Sequence, residues 1–140
     1  MSTPVDTTRD HAPRPPHAGV RLLAVEDHAI SRILLEAMLA PLGVDVTLAP
    51  DGRTAMRFAA TGDFDVIFVD LGLPDVAGER LAVDLAAAPG GRHARIVAVT
   101  GRARPRELPP TFDAWLEKPF SVRDLHALLE RLAPPAVRRA

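Results

Sequence analysis

The chain contains no cysteine and a single lysine, Lys118; the other sixteen of its seventeen basic residues are arginine. Without thiols there are no disulfides, no thiolate catalysis and no sulfur-ligated metal, which fits a reducing compartment. No apolar run approaches the roughly 20 residues needed to cross a bilayer. The first nineteen residues hold four prolines and two acids but no apolar segment, so they do not form a secretion signal. A cytoplasmic protein is expected. A net charge of -1 with interspersed signs excludes a broad electrostatic field for nucleic acid or membrane, and neither is expected as a partner.

What is present is enough for one buried core: 140 residues, 47% of them hydrophobic. Residues 1–19 are too poor in apolar side chains to offset the entropy of ordering and are expected to form a disordered arm. A domain over 20–133 and a short tail over 134–140 complete the expected organisation. Apolar runs at 21–25 (RLLAV), 65–69 (DVIFV) and 95–99 (RIVAV) are continuous, which suits strands covered on both faces. The alternating VDVTLA at 44–49 suits a strand nearer an edge, and DAWL at 113–116 is a weaker fifth candidate.

Helical patterns separate these runs. Ile30, Ile33, Leu34, Ala37 and Met38 recur at three and four ahead of Gly43, where the helix is expected to have ended. A short helix over Thr54–Ala60 closes at Gly62, and Leu81, Val83, Leu85 and nearby alanines mark a third. Ser121 with Asp124 resembles a capping box opening a last helix that carries Leu125, Leu128, Leu129 and Leu132 on one side. Strand and helix alternate, so the expected class is an open α/β domain with helices on both faces. Between Thr100 and Phe112 the sequence GRARPRELPPTF holds three prolines. Each costs about 3 kcal/mol inside a helix, so a loop or at most one turn is expected there.

Ligands in such sheets gather at the carboxyl ends of the strands, beside the switch in strand order. Glu26 and Asp27 follow the first run, Asp70 ends the third, Thr100 the fourth, and Lys118 with Pro119 the last. Three crowded carboxylates repel unless a cation neutralises them, and a hard oxygen set suits Mg²⁺ or Mn²⁺. A compact ammonium and a hydroxyl beside them suit the oxygens of a phosphoryl group. Taken singly, Glu26 and Asp27 are ordinary loop acids and Asp70 an ordinary turn residue. Jointly they describe a site.

The segments AVEDH, VIFVDLGLPDVAG, IVAVTG and WLEKPF resemble the receiver domain of two-component response regulators over about residues 20–133. The resemblance implies a flavodoxin-like, doubly wound, five-stranded parallel sheet in the order 2-1-3-4-5, with the fourth helix short or absent in this sequence. It implies that Asp70 accepts a phosphoryl group from a phosphohistidine on a sensor kinase or a histidine phosphotransfer protein. It implies Mg²⁺ held by Asp27, Asp70 and the Gly72 carbonyl, with Glu26 acting through water, and phosphoryl oxygens bound by Thr100 and Lys118. It also implies a cis bond before Pro119 that aims Lys118 at the site, and a switch in which Thr100 moves inward and the aromatic Trp115 follows.

The sequence departs from that family in places. The stretch between Thr100 and Lys118 is short, so the usual partner surface on the fourth helix, fifth strand and fifth helix must be remodelled. Arg102, Arg104 and Arg106 either form a basic lip near the site or belong to a solvated loop. Gly72 offers no side chain to shield a phosphoryl group. His28 either opens the first helix or touches the edge of the site, and the other histidines show no ligand spacing. Gly72 also stands where a haloacid dehalogenase-type phosphohydrolase needs a second acid, and the acids after the first strand would repel the phosphate of a flavodoxin-like carrier. No DNA-binding or catalytic pattern follows residue 133, so a stand-alone, non-enzymatic receiver is expected to act through an unknown downstream protein or by passing phosphate onward. The alternative is a degenerate receiver that signals by binding alone.

Overall fold

The computed structural model describes residues 14–132. Its elements are β1 (Arg21–Val25), α1 (Ala29–Leu39) running into a 3₁₀ turn (Ala40–Leu42), β2 (Asp45–Ala49), α2 (Gly52–Thr61), β3 (Val66–Asp70), α3 (Gly78–Ala87), β4 (Arg95–Thr100), β5 (Ala114–Glu117) and α4 (Val122–Leu132). The five strands form one parallel sheet in the order β2-β1-β3-β4-β5, as the resemblance implied. Residues 101–113, where the three prolines fall, are bends and turns with no helix.

Successive strand residues point to opposite faces, and both faces are apolar. Leu22, Ala24, Val66 and Phe68 pack with Leu35 and Leu39 of α1 and with Leu125, Leu128, Leu129 and Leu132 of α4. Leu23, Val25, Ile67 and Val69 pack on the other face with Ala55 and Ala59 of α2 and Leu81, Ala82 and Leu85 of α3. Every residue of central β3 is buried, whereas edge strand β2 is mostly half-covered. Full burial of each such leucine contributes about 2 kcal/mol, so the two layers hold the sheet from both sides.

The helix ends follow local chemistry. Asp51 caps α2 by accepting from Thr54 N at 2.7 Å. Ser121 Oγ accepts from Asp124 N at 3.1 Å while Asp124 Oδ2 accepts from Ser121 N at 2.8 Å, the reciprocal pair expected at the start of α4.

Three expectations need correction. The face of α1 read from Ile30, Ile33, Leu34 and Ala37 points to solvent: the first three are 72%, 65% and 57% exposed. The helix carries two apolar stripes on nearly opposite sides, roughly 170° apart, and the one through Leu35 and Leu39 meets the sheet. Val83 of α3 is likewise exposed, because Leu81, Ala82 and Leu85 already fill the contact with the sheet. Residues 16–19, expected within a disordered arm, form a turn with His17 buried. That turn is pinned by His17 N donating to Leu42 O at 2.8 Å. It lies so close to Gly43 (φ 85°) that a Cβ there would come within 2.6 Å of Pro15 Cβ. Residues 1–13 of the arm, and the tail over 134–140, lie outside the described residues.

Candidate functional site

The order reverses between β1 and β3, where one crossover runs outward to β2 and the rest run the other way. A crevice at the carboxyl ends of these two strands follows from that topology. Four of the site residues, Glu26, Asp70, Thr100 and Lys118, are pinned where a ladder runs out. Glu26 N donates to Ala49 O at 2.9 Å, Asp70 pairs with Val99, Leu71 N donates to Val99 O at 3.2 Å, and Lys118 N donates to Thr100 O at 2.7 Å.

Glu26, Asp70 and Thr100 are buried. Lys118 Nζ donates to Glu26 Oε1 at 3.1 Å and lies 3.5 Å from Asp70 Oδ2, so one ammonium spans the ends of β1 and β3 from beyond β5. Burial pulls the pKa of this ammonium down, but the Glu26 hydrogen bond and the charges of Asp70 and Glu26 outweigh it and leave it raised. The other oxygen of Asp70, Oδ1, accepts from Gly72 N at 2.9 Å. The Lys118–Pro119 bond is cis.

Asp27 lies beside Glu26, and its Oδ1 is buried without a hydrogen-bond partner; His28 Nδ1 is 3.3 Å away but not in hydrogen-bonding geometry. An orphaned carboxylate oxygen beside the buried acid Glu26, in a chain without cysteine, belongs to a hard oxygen donor set that fits Mg²⁺ or Mn²⁺. His28 does both things expected of it: it precedes the first turn of α1, and its ring lies 3.3 Å from Glu26 Oε2 at the rim.

The loop after Asp70 is braced from two directions. Asp75 accepts from Gly52 N (3.1 Å) and Arg53 N (3.2 Å) at the start of α2, and Gly78 begins α3 so close that a Cβ would sit 2.6 Å from Leu71 Cα. Beside the acids opens a cleft of about 260 Å³, lined among others by Leu34, Met38, Asp70, Lys118 and Phe120.

Thr100 ends the strand next to Asp70, and its Oγ1 accepts from Arg102 N at 3.1 Å. Arg102 O in turn accepts from the Trp115 indole Nε1 at 2.9 Å, and the Arg102 guanidinium pairs with Glu79 Oε2 at 3.0 Å. The bond to Arg102 holds the Glu79 carboxyl below its usual range. Trp115 is half-buried and meets Phe112 edge-on, with ring centroids 6.4 Å apart. Arg102 as a hub was invisible in the sequence because backbone groups carry two of its three links. Arg104 and Arg106 are exposed, in line with the solvated-loop reading.

The response regulator receiver domain family matches residues 22–130. Among solved structures, the chain is 35% identical to the receiver domain of a sensor histidine kinase from Pseudomonas aeruginosa, which has a magnesium ion coordinated in its active site cleft; the match has a TM-score of 0.73 and covers 82% of this chain and 98% of that one. A response regulator from Burkholderia pseudomallei, solved with a phosphorylated aspartic acid, is 27% identical with a TM-score of 0.66, over 77% of this chain and 65% of that one. The sensor histidine kinase AtsR of Burkholderia thailandensis is 28% identical over 91% of this chain, which spans 22% of that kinase's length. No helix among the described residues is long and apolar enough to cross a membrane. By that family match and this architecture, the chain belongs to the response regulator receiver domains of two-component signalling.

Proposed function

We propose that this chain accepts a phosphoryl group on Asp70 from a phosphohistidine of a sensor kinase or histidine phosphotransfer protein, and signals through the change that follows. The observation that carries this reading is the Lys118 ammonium between the buried carboxylates of Glu26 and Asp70. Glu26, Asp27, Asp70 and the Gly72 carbonyl would hold Mg²⁺ or Mn²⁺. When bound, the ion neutralises carboxylate charge and orients the transferring group.

The Gly72 N–H holds Asp70 through Oδ1, leaving Oδ2 on the side of Lys118. A carboxylate oxygen of Asp70 bonds to phosphorus as the P–N bond of the donor breaks, and the bonding pair returns to the imidazole nitrogen. Lys118 exchanges its carboxylate partners for a phosphoryl oxygen, a contact that a compact ammonium makes more readily than a wide guanidinium fork. Thr100 leaves Arg102 N to donate its hydroxyl to another phosphoryl oxygen. The magnesium and the phosphorylated aspartate described for two of the similar proteins are consistent with this chemistry.

The test is intact mass after incubation with Mg²⁺ and a small acyl phosphate donor. A phosphate-sized gain, absent in Asp70→Asn and absent under chelation, is expected. No gain from either the small donor or a phosphorylated kinase would instead identify a binding module independent of phosphorylation, the alternative that the helix-free β4–β5 link favours.

A further inference from the structure

At the end of the sheet opposite the acidic cleft, two histidines 109 positions apart in the chain face each other. His17, in the turn before β1, is fully buried, and its Nε2 lies 2.8 Å from Nδ1 of His126 on α4. Glu130 follows His126 by four residues on the same helical face. One ligand atom from each of the three lies within 4.8 Å of the others. Two imidazoles set nitrogen to nitrogen at this distance share one proton, one donating and the other accepting. Burial, then the neighbouring His126, lowers the pKa of His17 against the opposing pull of Glu130. Nothing in the phosphoryl-acceptor reading uses these residues.

We propose that His17 Nε2, His126 Nδ1 and the Glu130 carboxylate form a binding site for a borderline transition-metal ion of the Zn²⁺ class, clamping the segment before β1 onto α4. Two imidazoles and a carboxylate are the donors that zinc takes and that magnesium does not favour. Zinc–nitrogen bonds of about 2.0 Å in a tetrahedron place two ligand nitrogens ~3.3 Å apart, so the pair opens by roughly half an ångström when the ion replaces the shared proton. That proton is not lost: each ring stays neutral, carrying its proton on the far nitrogen, His17 Nδ1 and His126 Nε2. His17 Nδ1 is buried without a partner. Placing a proton there has a desolvation cost that weakens binding. Glu130 is exposed, which leaves the fourth position to water.

The experiment is calorimetric titration of the full chain with Zn²⁺ under saturating Mg²⁺, repeated with Co²⁺ for its visible absorption. One ion per chain is expected, with tetrahedral cobalt bands, tenfold or greater weakening in His126→Ala and clear weakening in Glu130→Gln. Zinc should raise Tm by about 4 °C or more in the unaltered chain and leave His126→Ala unmoved. Glu130→Gln alters an exposed residue and cannot fail merely by unfolding. Absence of stoichiometric binding would overturn the proposal and leave a hydrogen-bonded histidine pair. Binding unchanged in both variants would overturn it too, placing the ion elsewhere. Neither outcome touches the role of Asp70, which the mass measurement tests separately.

Discussion

Lys118 shows how a single side chain is chosen. In a chain whose other basic residues are all arginine, the one ammonium sits between two buried carboxylates. Removing it leaves Glu26 and Asp70 with uncompensated charge, which is far more costly than losing a surface pair. Lys118 is about a third exposed, so water screens part of that cost. Lys118→Ala is expected to lose about 1–3 kcal/mol in urea unfolding without Mg²⁺, and to recover part of it when Mg²⁺ supplies the missing positive charge. The pH dependence has a definite sign. A raised folded pKa means the pair stabilises fully below the ordinary lysine value of 10.5 and that this stability is lost as pH rises through the higher folded value. An alkaline fall in Tm above that range, present in the unaltered chain and absent in Lys118→Ala, is the expected outcome. Lys118, Asp70 and Glu26 could be named from the sequence because each follows an apolar run. The partners of Thr100 and Trp115 could not, because they are backbone atoms of Arg102.

Among the elements, α4 and α1 make opposite cases. The four leucines of α4 form one stripe on an otherwise polar helix, so periodicity alone identified the buried face, and all four are in the core. In α1 the residues are apolar nearly all round, and periodicity could not choose between stripes. Packing chose Leu35 and Leu39 and left Ile30, Ile33 and Leu34 in solvent. Leu34 also lines the cleft that reaches Asp70, which places this apolar face beside the proposed phosphoryl-accepting site. Ile33→Glu is expected to change stability by less than about 0.5 kcal/mol, as exposed substitutions do. Phosphoryl acceptance from a small donor should be unaffected, while transfer from a phosphohistidine protein should slow by about tenfold. Parallel time courses with the two donors check this; equal slowing with both would remove α1 from the docking surface.

Across the whole molecule, the helix missing between β4 and β5 changes how the site can reach the surface. The described connection runs from Thr100 through the backbone of Arg102 to the indole of Trp115, with Glu79 holding the Arg102 side chain. If Thr100 turns toward a phosphoryl group, its bond to Arg102 N breaks, and the carbonyl that anchors the indole is released from one side. Trp115 is the only tryptophan and the chain has no tyrosine, so intrinsic emission reports this position alone. Phosphorylation is expected to shift that emission in the unaltered chain, and Thr100→Ala should abolish the shift while retaining the mass gain. An identical shift in both would disconnect the site from the loop.

The order of elements, the buried strands, the break in helix over 101–113 and the acids at the strand ends were determined by sequence alone, since periodicity, proline and carboxylate placement act over a few neighbouring residues. Tertiary structure decided which stripe of α1 meets the sheet, that His17 is buried beside His126, and what Thr100 and Trp115 hold. Those outcomes depend on which surfaces remain uncovered once strands and helices have packed, and contacts between positions as distant as His17 and His126 leave no mark in local pattern.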